Sequence, residues 1–512
     1  MILNLVRLVC ILLAASAARA GVTFTVTFDP RVRAELATGR LVVMLVKEGA
    51  KIPRSSQPLD GPFWTDPQPM YGIDVKELKP NTAVMIDSTA TSFPCSIDQL
   101  PEGQYRAQAR LDVSRGNSNW KRDAGNLYSE VVAFTVGAEP STVAIVLNKK
   151  TTGEKTPGRK GVELFTLESK LLSEFHGRPI TLRAAVAFPV SYNPARSYAA
   201  VYEVPGYGGD HLVGFQRDRS SVIPGSADEV LAQATFWVNV DPESPNGHTL
   251  FADSANNGPW AKALTTELIP AIEARYRLVA KPEARLLRGH SSGGWSTLWL
   301  ALNYPEVFGA TWSSSPDPVD FRKFQVVDLY GQPNFYYDAS GKEGDPAAEL
   351  SSYSVKSGTK MTIRQENLME EVIGPGNSSA QQWDSWFAVF GPRDEAGRPA
   401  ALFDAVTGKI DPAIAEQYRA YDIGHLLRTS PDKYLPVFRE RVRLIVGGED
   451  NFSLDEAVTL LAADLEKLGG LPGPGYVKIV PGTDHGTVMT SDAGRRIPRE
   501  MVEHLKGAGL VK

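Results

Sequence analysis

Gly289-His290-Ser291-Ser292-Gly293-Gly294-Trp295 is the stretch whose reading decides the fold. It holds Gly-x-Ser-x-Gly, the pattern of a nucleophile elbow, in which a strand ends, the chain turns sharply and a helix begins at once. The flanking glycines are needed because a Cβ there would strike the neighbouring strand and helix, and the turn lifts the serine Oγ above the sheet. Five residues alone recur by chance, so the context carries the weight. Residues 284–287 before them are mostly apolar and long enough for a buried strand. Trp295, Leu298, Trp299 and Leu302 after them recur at i, i+3, i+4 and i+7, one face of a helix. A plain Gly-rich loop with Ser291 as a small turn residue would need neither flank. The two tryptophans read as packing of the helix rather than as a substrate platform.

Outward from the elbow, strands and helices alternate. Strands are expected at 180–188, 198–204, 235–240, 310–313, 442–446 and 476–480. A helix is expected over 260–277, with Leu264, Leu268, Ile272 and Tyr276 on one stripe and a kink at Pro270. This βαβα order implies a mostly parallel, doubly wound α/β sheet over 161–512. The rhythm breaks between 318 and 435, where Trp383, Trp386, Phe387 and Phe390 cluster and the turn-like segments Asp338-Ala339-Ser340-Gly341 and Thr407-Gly408 occur. That stretch reads as a cap-like insertion over the sheet's C-terminal edge, or as a decorating subdomain with those aromatics as its core.

Residues 21–150 have a different texture. Val22, Phe24, Val26 and Phe28 alternate with threonines, the mark of a half-buried strand. Further strands are expected at 41–46, 104–113, 131–136 and 142–147, separated by Pro, Gly and Asp turns. The series predicts an all-β sandwich of immunoglobulin-like type. Its Phe63, Trp64 and Trp120 read as a plug at a domain joint or as a sugar- or substrate-binding surface, the plug being favoured. The polar run 149–160 reads as a linker.

A chain of 512 residues exceeds one ordinary core, and 42% hydrophobic with 22% charged residues is the balance of a soluble globular protein. The first 20 residues depart from it. Arg7 precedes an almost wholly apolar run, 8–18, and Ala18-Arg19-Ala20 fits a cleavage site, so 1–20 reads as a signal peptide and the product as secreted or periplasmic. The run is shorter than the roughly 20 residues that span a bilayer, so no stable membrane anchor is expected. Without Arg7 and Arg19 the 54 basic residues become 52 against 59 acidic ones, a net charge of −7. With no basic block, nucleic acid is not an expected partner. Cys95 is then the only cysteine, expected as a small buried side chain in a protein with no internal disulfide. Oligomeric state cannot be read from these residues.

A serine hydroxyl needs a histidine to take its proton and an acid to hold that histidine, and an elbow of this kind predicts the chain order Ser, acid, His. Of the histidines after Ser291, His425 falls in the insertion and His504 in a C-terminal helical run. His485 sits in the loop Pro481-Gly482-Thr483-Asp484-His485-Gly486 after the last strand. For the acid, Glu449, Asp450 and Asp455 compete. Ser453-Leu454-Asp455-Glu456 looks like a capping box, which explains Asp455 without catalysis. Asp450 is the better member, and Glu449 stands one position early. The developing oxyanion needs two backbone N–H donors. Ser292 supplies one, and Pro205-Gly206-Tyr207-Gly208-Gly209 after an earlier strand supplies the other, from Tyr207 first and Gly208 second. This chemistry requires no metal or organic cofactor.

Pro205-Gly206-Tyr207-Gly208-Gly209, Glu267-Leu268-Ile269-Pro270-Ala271-Ile272-Glu273, the elbow, Tyr304-Pro305-Glu306-Val307-Phe308 and Gly447-Gly448-Glu449-Asp450 together resemble the esterase D-type putative esterase family, which includes formylglutathione hydrolases, feruloyl and enterochelin esterases and mycolyltransferases. The resemblance covers roughly 160–505 without the insertion. It implies an α/β-hydrolase fold, with Ser291 as nucleophile, Asp450 as acid and His485 as general base. Where the family usually has His-Gly before the oxyanion residue, this chain has Pro205-Gly206. The long insertion prevents transfer of the family's substrate choices.

The expected activity is that of an exported serine carboxylesterase. It would act through an acyl-enzyme on a small-molecule or polymer-borne ester. A serine peptidase or an acyltransferase would use the same scaffold. A non-catalytic polysaccharide-binding protein is the reading from another class.

Overall fold

The computed structural model of the chain describes residues 21–338, 348–355, 358 and 360–512. The expected signal peptide at 1–20, and Ala339, Ser340 and Gly341 of the first turn-like segment, lie outside the described residues.

Nine strands form the N-terminal sheet: β1 (Val22–Phe28), β2 (Ala37–Lys47), β3 (Met70–Leu78), β4 (Val84–Ile86), β5 (Thr91–Phe93), β6 (Gly103–Asp112), β7 (Ala124–Ser129), β8 (Val132–Val136) and β9 (Ser141–Thr152). They hydrogen-bond in the order β4-β1-β9-β7-β6-β2-β3-β5, with β8 on β6. All pairs are antiparallel except β1 with β9. Val22, Phe24, Val26 and Phe28 enter one core with Leu41, Val43, Leu45, Ala107 and Ala109, as the alternation predicts. The sequence reading misses β3, β4, β5 and β7. β4 and β5 are three residues each, and β7 opens with Ala, Gly and Asn, all depleted in strands. β9 runs through Thr152, so the connector to the next sheet is 153–161 rather than 149–160. Cys95 is half-buried, not buried.

The second sheet has eight strands: β10 (Val162–Glu168), β11 (Thr181–Ala187), β12 (Ala199–Val204), β13 (Thr235–Val240), β14 (Arg285–His290), β15 (Ala310–Ser314), β16 (Val442–Gly447) and β17 (Tyr476–Val480). Their order is β10-β11-β13-β12-β14-β15-β16-β17. The first three run antiparallel, and every pair from β13–β12 onward is parallel. β10 was not expected, because an edge strand with half its side chains in solvent lacks a buried apolar run.

Helices cover both faces. The helices used below are α1 (Ser292–Asn303), α2 (Ile363–Ile373), α3 (Gln382–Phe390), α4 (Leu454–Lys467) and α5 (Asp492–Gly507). Alternate strand residues point to opposite cores. Tyr202, Phe236 and Leu287 pack with Leu300 of α1 and with Leu268 and Ile272, while Val201, Trp237 and Leu286 pack with Ile497, Met501 and Leu505 of α5. Strands buried on both faces therefore read as continuous apolar runs. The helical run 260–276 carries a π-helical turn at Leu264–Leu268 immediately before Pro270. The wider turn absorbs the hydrogen bond that proline cannot donate.

Between β15 and β16, among the described residues, lie α2, α3 and three further α-helices, Pro412–Tyr418, Ile423–Thr429 and Pro431–Arg441. Trp383, Trp386, Phe387 and Phe390 are all buried in one aromatic core that extends to Trp295 and Leu298 of α1. The N-terminal sheet docks on α2. Val42, Met44 and Trp120 pack against Met369, Val372 and Ile373, and Arg40 Nε donates to the Val372 carbonyl at 2.9 Å. Among the described residues no helix is long and apolar enough to cross a membrane.

Candidate active site

β14 ends at His290 and α1 begins at Ser292, leaving Ser291 alone in the turn with φ 59° and ψ −129°. A non-glycine residue in that region is strained by about 1–3 kcal/mol and persists only where its surroundings force it. Here the forcing is visible. A Cβ on Gly289 would lie 2.0 Å from the Gly293 carbonyl oxygen, and one on Gly293 would lie 2.0 Å from that of Val204. Strand, turn and helix are in backbone contact, which only glycine permits. The Ser291 N–H donates to Ser314 O at 3.0 Å and its carbonyl accepts from Asp317 N–H at 3.3 Å, so the end of β15 holds the turn.

Asp450 follows β16 by three residues and His485 follows β17 by five. Their loops meet: His485 Nδ1 lies 2.8 Å from Asp450 Oδ2, and the Asp450 side chain is fully buried. The other Asp450 oxygen accepts from Phe452 N–H at 2.9 Å. The carboxylate is thus held at both oxygens, and the imidazole is presented with Nδ1 protonated and Nε2 turned elsewhere. His485 and Ser291 line the same cavity of 330 Å³. No hydrogen bond joins them among the described residues, a gap usual where catalytic contacts tighten only around a bound substrate.

The competing candidates sit elsewhere or in other roles. Asp455 is not explained by a capping box: Ser453 adopts a left-handed conformation, φ 56°, and its side chain makes no cap hydrogen bond. Burial pushes the Asp455 carboxyl up to about 6. The Glu449 N–H donates to Thr483 O, tying the two loops together. His504 is half-buried, with Nε2 at 3.0 Å from Glu283 O and its ring against Trp312. His425 lies in a helix of the insertion.

The Pro205–Gly209 loop passes directly beside the turn, since a Cβ on Gly206 would lie 3.1 Å from Ser291 Cβ. Tyr207 lines the cavity, and its hydroxyl donates to Gln381 Oε1 at 2.7 Å. Among the described residues its N–H has no hydrogen-bond acceptor. Ser292 opens α1, where backbone donors have no intrahelical partner.

Three histidines crowd this site, and sequence reasoning found one. His248 is fully buried: Leu250 N–H donates to its Nδ1 at 3.0 Å, leaving Nε2–H to donate to Pro205 O at 3.0 Å. Burial lowers its pKa to about 4, so it is a neutral clamp on the loop. The His290 ring lies 4.6 Å from that of His485, and burial together with that neighbour lowers its pKa to about 4. It therefore adds no charge beside His485 near neutral pH.

Phe452 and Leu454, just beyond Asp450, also line the cavity, and the rest of the lining comes from three parts of the chain. The insertion supplies Gln325, Glu366, Gln382 and Trp386, the N-terminal sheet's connecting loop supplies Trp64, and Asp317 follows β15. Asp317 Oδ2 accepts from Trp386 Nε1 at 2.8 Å, and burial raises its carboxyl to about 6. Trp64 also packs edge-on against Tyr353 and Phe452, so it is both joint and cavity wall. Trp120 belongs to the joint core. One signal for Asp317 was present in the sequence: a polar run, Ser313-Ser314-Ser315-Pro316-Asp317, leaves the carboxyl end of a strand, where open α/β sheets bind ligands.

Compared with known proteins, residues 179–395 match the family model described as putative esterase. None of the curated proteins compared with the chain matches it. Among solved structures, a ferulic acid esterase is similar at 15% identity over 67% of this chain and 98% of its own, with a TM-score of 0.39. An S-formylglutathione hydrolase from Agrobacterium tumefaciens is similar at 12% identity over 69% and 98%, TM-score 0.34. Est1E from Butyrivibrio proteoclasticus is similar at 14% identity over 64% and 96%, TM-score 0.33.

Proposed function

We propose, from the match of residues 179–395 to the putative esterase model together with the site geometry, that the chain is a serine carboxylic ester hydrolase working through Ser291, His485 and Asp450. Ser291 Oγ attacks the ester carbonyl while His485 Nε2 takes its proton. Asp450 holds the imidazole in the required tautomer and stabilises the imidazolium that forms. The Tyr207 and Ser292 N–H groups bind the oxyanion. The tetrahedral intermediate collapses, His485 protonates the departing alcohol, and an acyl-enzyme remains. Water activated by His485 then releases the acid and frees Ser291.

One observation carries this reading: the 2.8 Å contact between His485 Nδ1 and Asp450 Oδ2 beside a cavity shared with a strained Ser291. The test is hydrolysis of p-nitrophenyl esters from acetyl to decanoyl by the wild type and by Ser291→Ala. Loss of at least about three orders of magnitude in kcat for the variant is the expected result. Equal activity of the two would remove Ser291 from the mechanism.

The wider organisation is part of the proposal. Residues 1–20 act as an export signal, giving a secreted or periplasmic enzyme. Residues 21–150 form a sandwich of immunoglobulin-like type, supported by its antiparallel pairs and by the parallel pairing of first and last strands. Residues 161–512 form the catalytic domain, and the insertion 318–435 acts as a cap. The four cavity-lining side chains that the insertion contributes support that role. The substrate is a small-molecule or polymer-borne ester.

A further inference from the structure

The cavity beside Ser291 is unusual in what its walls can and cannot do. Glu366 is 2% and Gln325 3% exposed, and Glu366 Oε2 and Gln325 Oε1 each have no hydrogen-bond partner among the described residues. Ser352 and Trp383 interact with the Glu366 carboxyl and partly offset the cost of its burial, yet Oε2 itself has no partner at hydrogen-bond distance. Both atoms are acceptors. A buried acceptor left unpaired costs about 1–3 kcal/mol, so two in one cavity point to an occupant that donates. A third acceptor group is at hand in Asp317. No lysine or arginine lines the cavity among the described residues. The other walls are the rings of Trp64, Trp386 and Phe452.

Resting on the esterase reading, we propose that this cavity selects esters carrying a primary ammonium on the acyl chain, with Glu366, Asp317 and Gln325 as its acceptors and the aromatic rings as its sides. An ammonium has three donors and no acceptor, which matches three acceptors and almost no donors. A sugar matches less well. Its hydroxyls also need donors, and Gln382 Nε2 is the one fully buried unpaired side-chain donor among the lining residues described. A guanidinium, with five donors in a planar fork, needs more room than a cavity of 330 Å³ leaves beside an acyl group. Tryptophan faces attract cations, and the attraction grows where water is excluded. The acids are also suited electrically. Burial raises Glu366 to about 7 and Asp317 to about 6, so near neutral pH the first is only partly ionised and the second mostly so, and an arriving cation favours the charged form of both.

The inference is tested by calorimetric titration of the full chain with n-butylammonium chloride and, separately, 1-butanol, neither of which is an ester. The expected result is ammonium binding at least about tenfold tighter than the alcohol, with that margin lost in Glu366→Gln. Asp317→Asn is the second variant, should the first fail to fold. In turnover, p-nitrophenyl 6-aminohexanoate should exceed p-nitrophenyl heptanoate in kcat/KM, and the ratio should fall in either variant. Equal binding of ammonium and alcohol, binding of neither, or an ammonium affinity unchanged in both variants overturns the proposal. The two readings fail separately. If p-nitrophenyl acetate is turned over with dependence on Ser291 and the ammonium does not bind, only the ammonium inference falls. If the ammonium binds through Glu366 and no ester is turned over, the esterase reading falls and the ammonium site stands.

Discussion

His248 and Pro205 are joined by a buried hydrogen bond of 3.0 Å from the imidazole Nε2 to the carbonyl oxygen, across 43 residues of chain. The Leu250 N–H occupies Nδ1 and so fixes the tautomer. Pro205 precedes the loop residue proposed to bind the oxyanion, so on that proposal the ring acts on the reaction through the loop. An oxyanion donor displaced by a fraction of an ångström stabilises the transition state less, while substrate binding changes little.

For His248→Ala we expect kcat on p-nitrophenyl acetate to fall about 10- to 100-fold with KM nearly constant. His248→Gln, whose amide can still donate to Pro205 O, should recover part of the loss. A fall confined to Tm, with kcat intact in the folded fraction, would reduce His248 to a packing role.

Asp450 offers a cleaner test of electronics against geometry. Asp450→Asn is nearly isosteric, but its amide can donate to His485 Nδ1 and so favour the wrong tautomer. The expected outcome is loss of kcat on the order of ten-thousand-fold with little change in Tm. The same substitution at Asp455, which has no hydrogen bond or ion pair with His485 among the described residues, should leave kcat within about threefold of wild type. If Asp455→Asn were the damaging change, the acid would be misassigned.

These residues divide by how far their placement at the cavity can be read along the chain. Ser291, Asp450 and His485 were legible because each stands at the end of a recognisable strand, and local pattern alone predicts the turn, the loop and their order. His248 was not. It lies among short two-residue pairings with no hydrophobic period, and its partner is set only when β12 and its following loop are in place. Glu366 sits in α2 as one acid among several, and nothing in the sequence says that its side chain turns inward. The capping-box expectation at Ser453 failed because the loop carrying Asp450 enters α4 through a left-handed residue, so tertiary geometry overrode a local motif. β10 and the short strands β4 and β5 were missed for a related reason. Their pairing partners create them, and their own residues only permit it.

Stability should peak on the acid side of neutrality. Burial raises Glu243, Glu366 and Asp384 to about 7 and Asp317 and Asp422 to about 6 from ordinary values near 4. A carboxyl raised in the folded state holds a proton that the unfolded chain releases. Its contribution is fully present below the unfolded pKa and is lost as pH rises through 6–7. His211, held between Asp241 and Glu154, is raised to about 8, and its contribution is likewise lost on going alkaline. His248 and His290, lowered to about 4, work the other way, losing stability as pH falls from 6.5 towards 4. Between pH 6 and 8 the first set dominates. Calorimetric Tm is therefore expected to fall from pH 6 to pH 8, and Asp384→Asn with Glu243→Gln should flatten the slope. A Tm that rises over that interval would contradict the burial of these acids.

Trp64 and Trp120 belong to the same N-terminal unit and meet the rest of the molecule in different ways, which makes them a matched pair. Trp64 lines the cavity, with Phe452 between it and His485 at ring separations of 5.9 and 4.9 Å. Trp120 is 8% exposed and packs in the core shared with Met369, Val372 and Ile373 of α2. Removing a buried tryptophan costs about 3–5 kcal/mol, so Trp120→Ala should lower Tm by several degrees while KM for short esters stays put. Trp64→Ala removes a wall of the cavity itself. Its expected signature is a KM for butyryl and hexanoyl esters raised about tenfold, with a smaller effect on acetate, whose acyl group does not reach that wall. If both substitutions changed only Tm, the N-terminal sheet would be a support for the insertion. If Trp64→Ala shifts chain-length preference as expected, that sheet takes part in substrate choice, and a catalytic unit isolated from residue 161 onward would not reproduce the specificity of the whole protein.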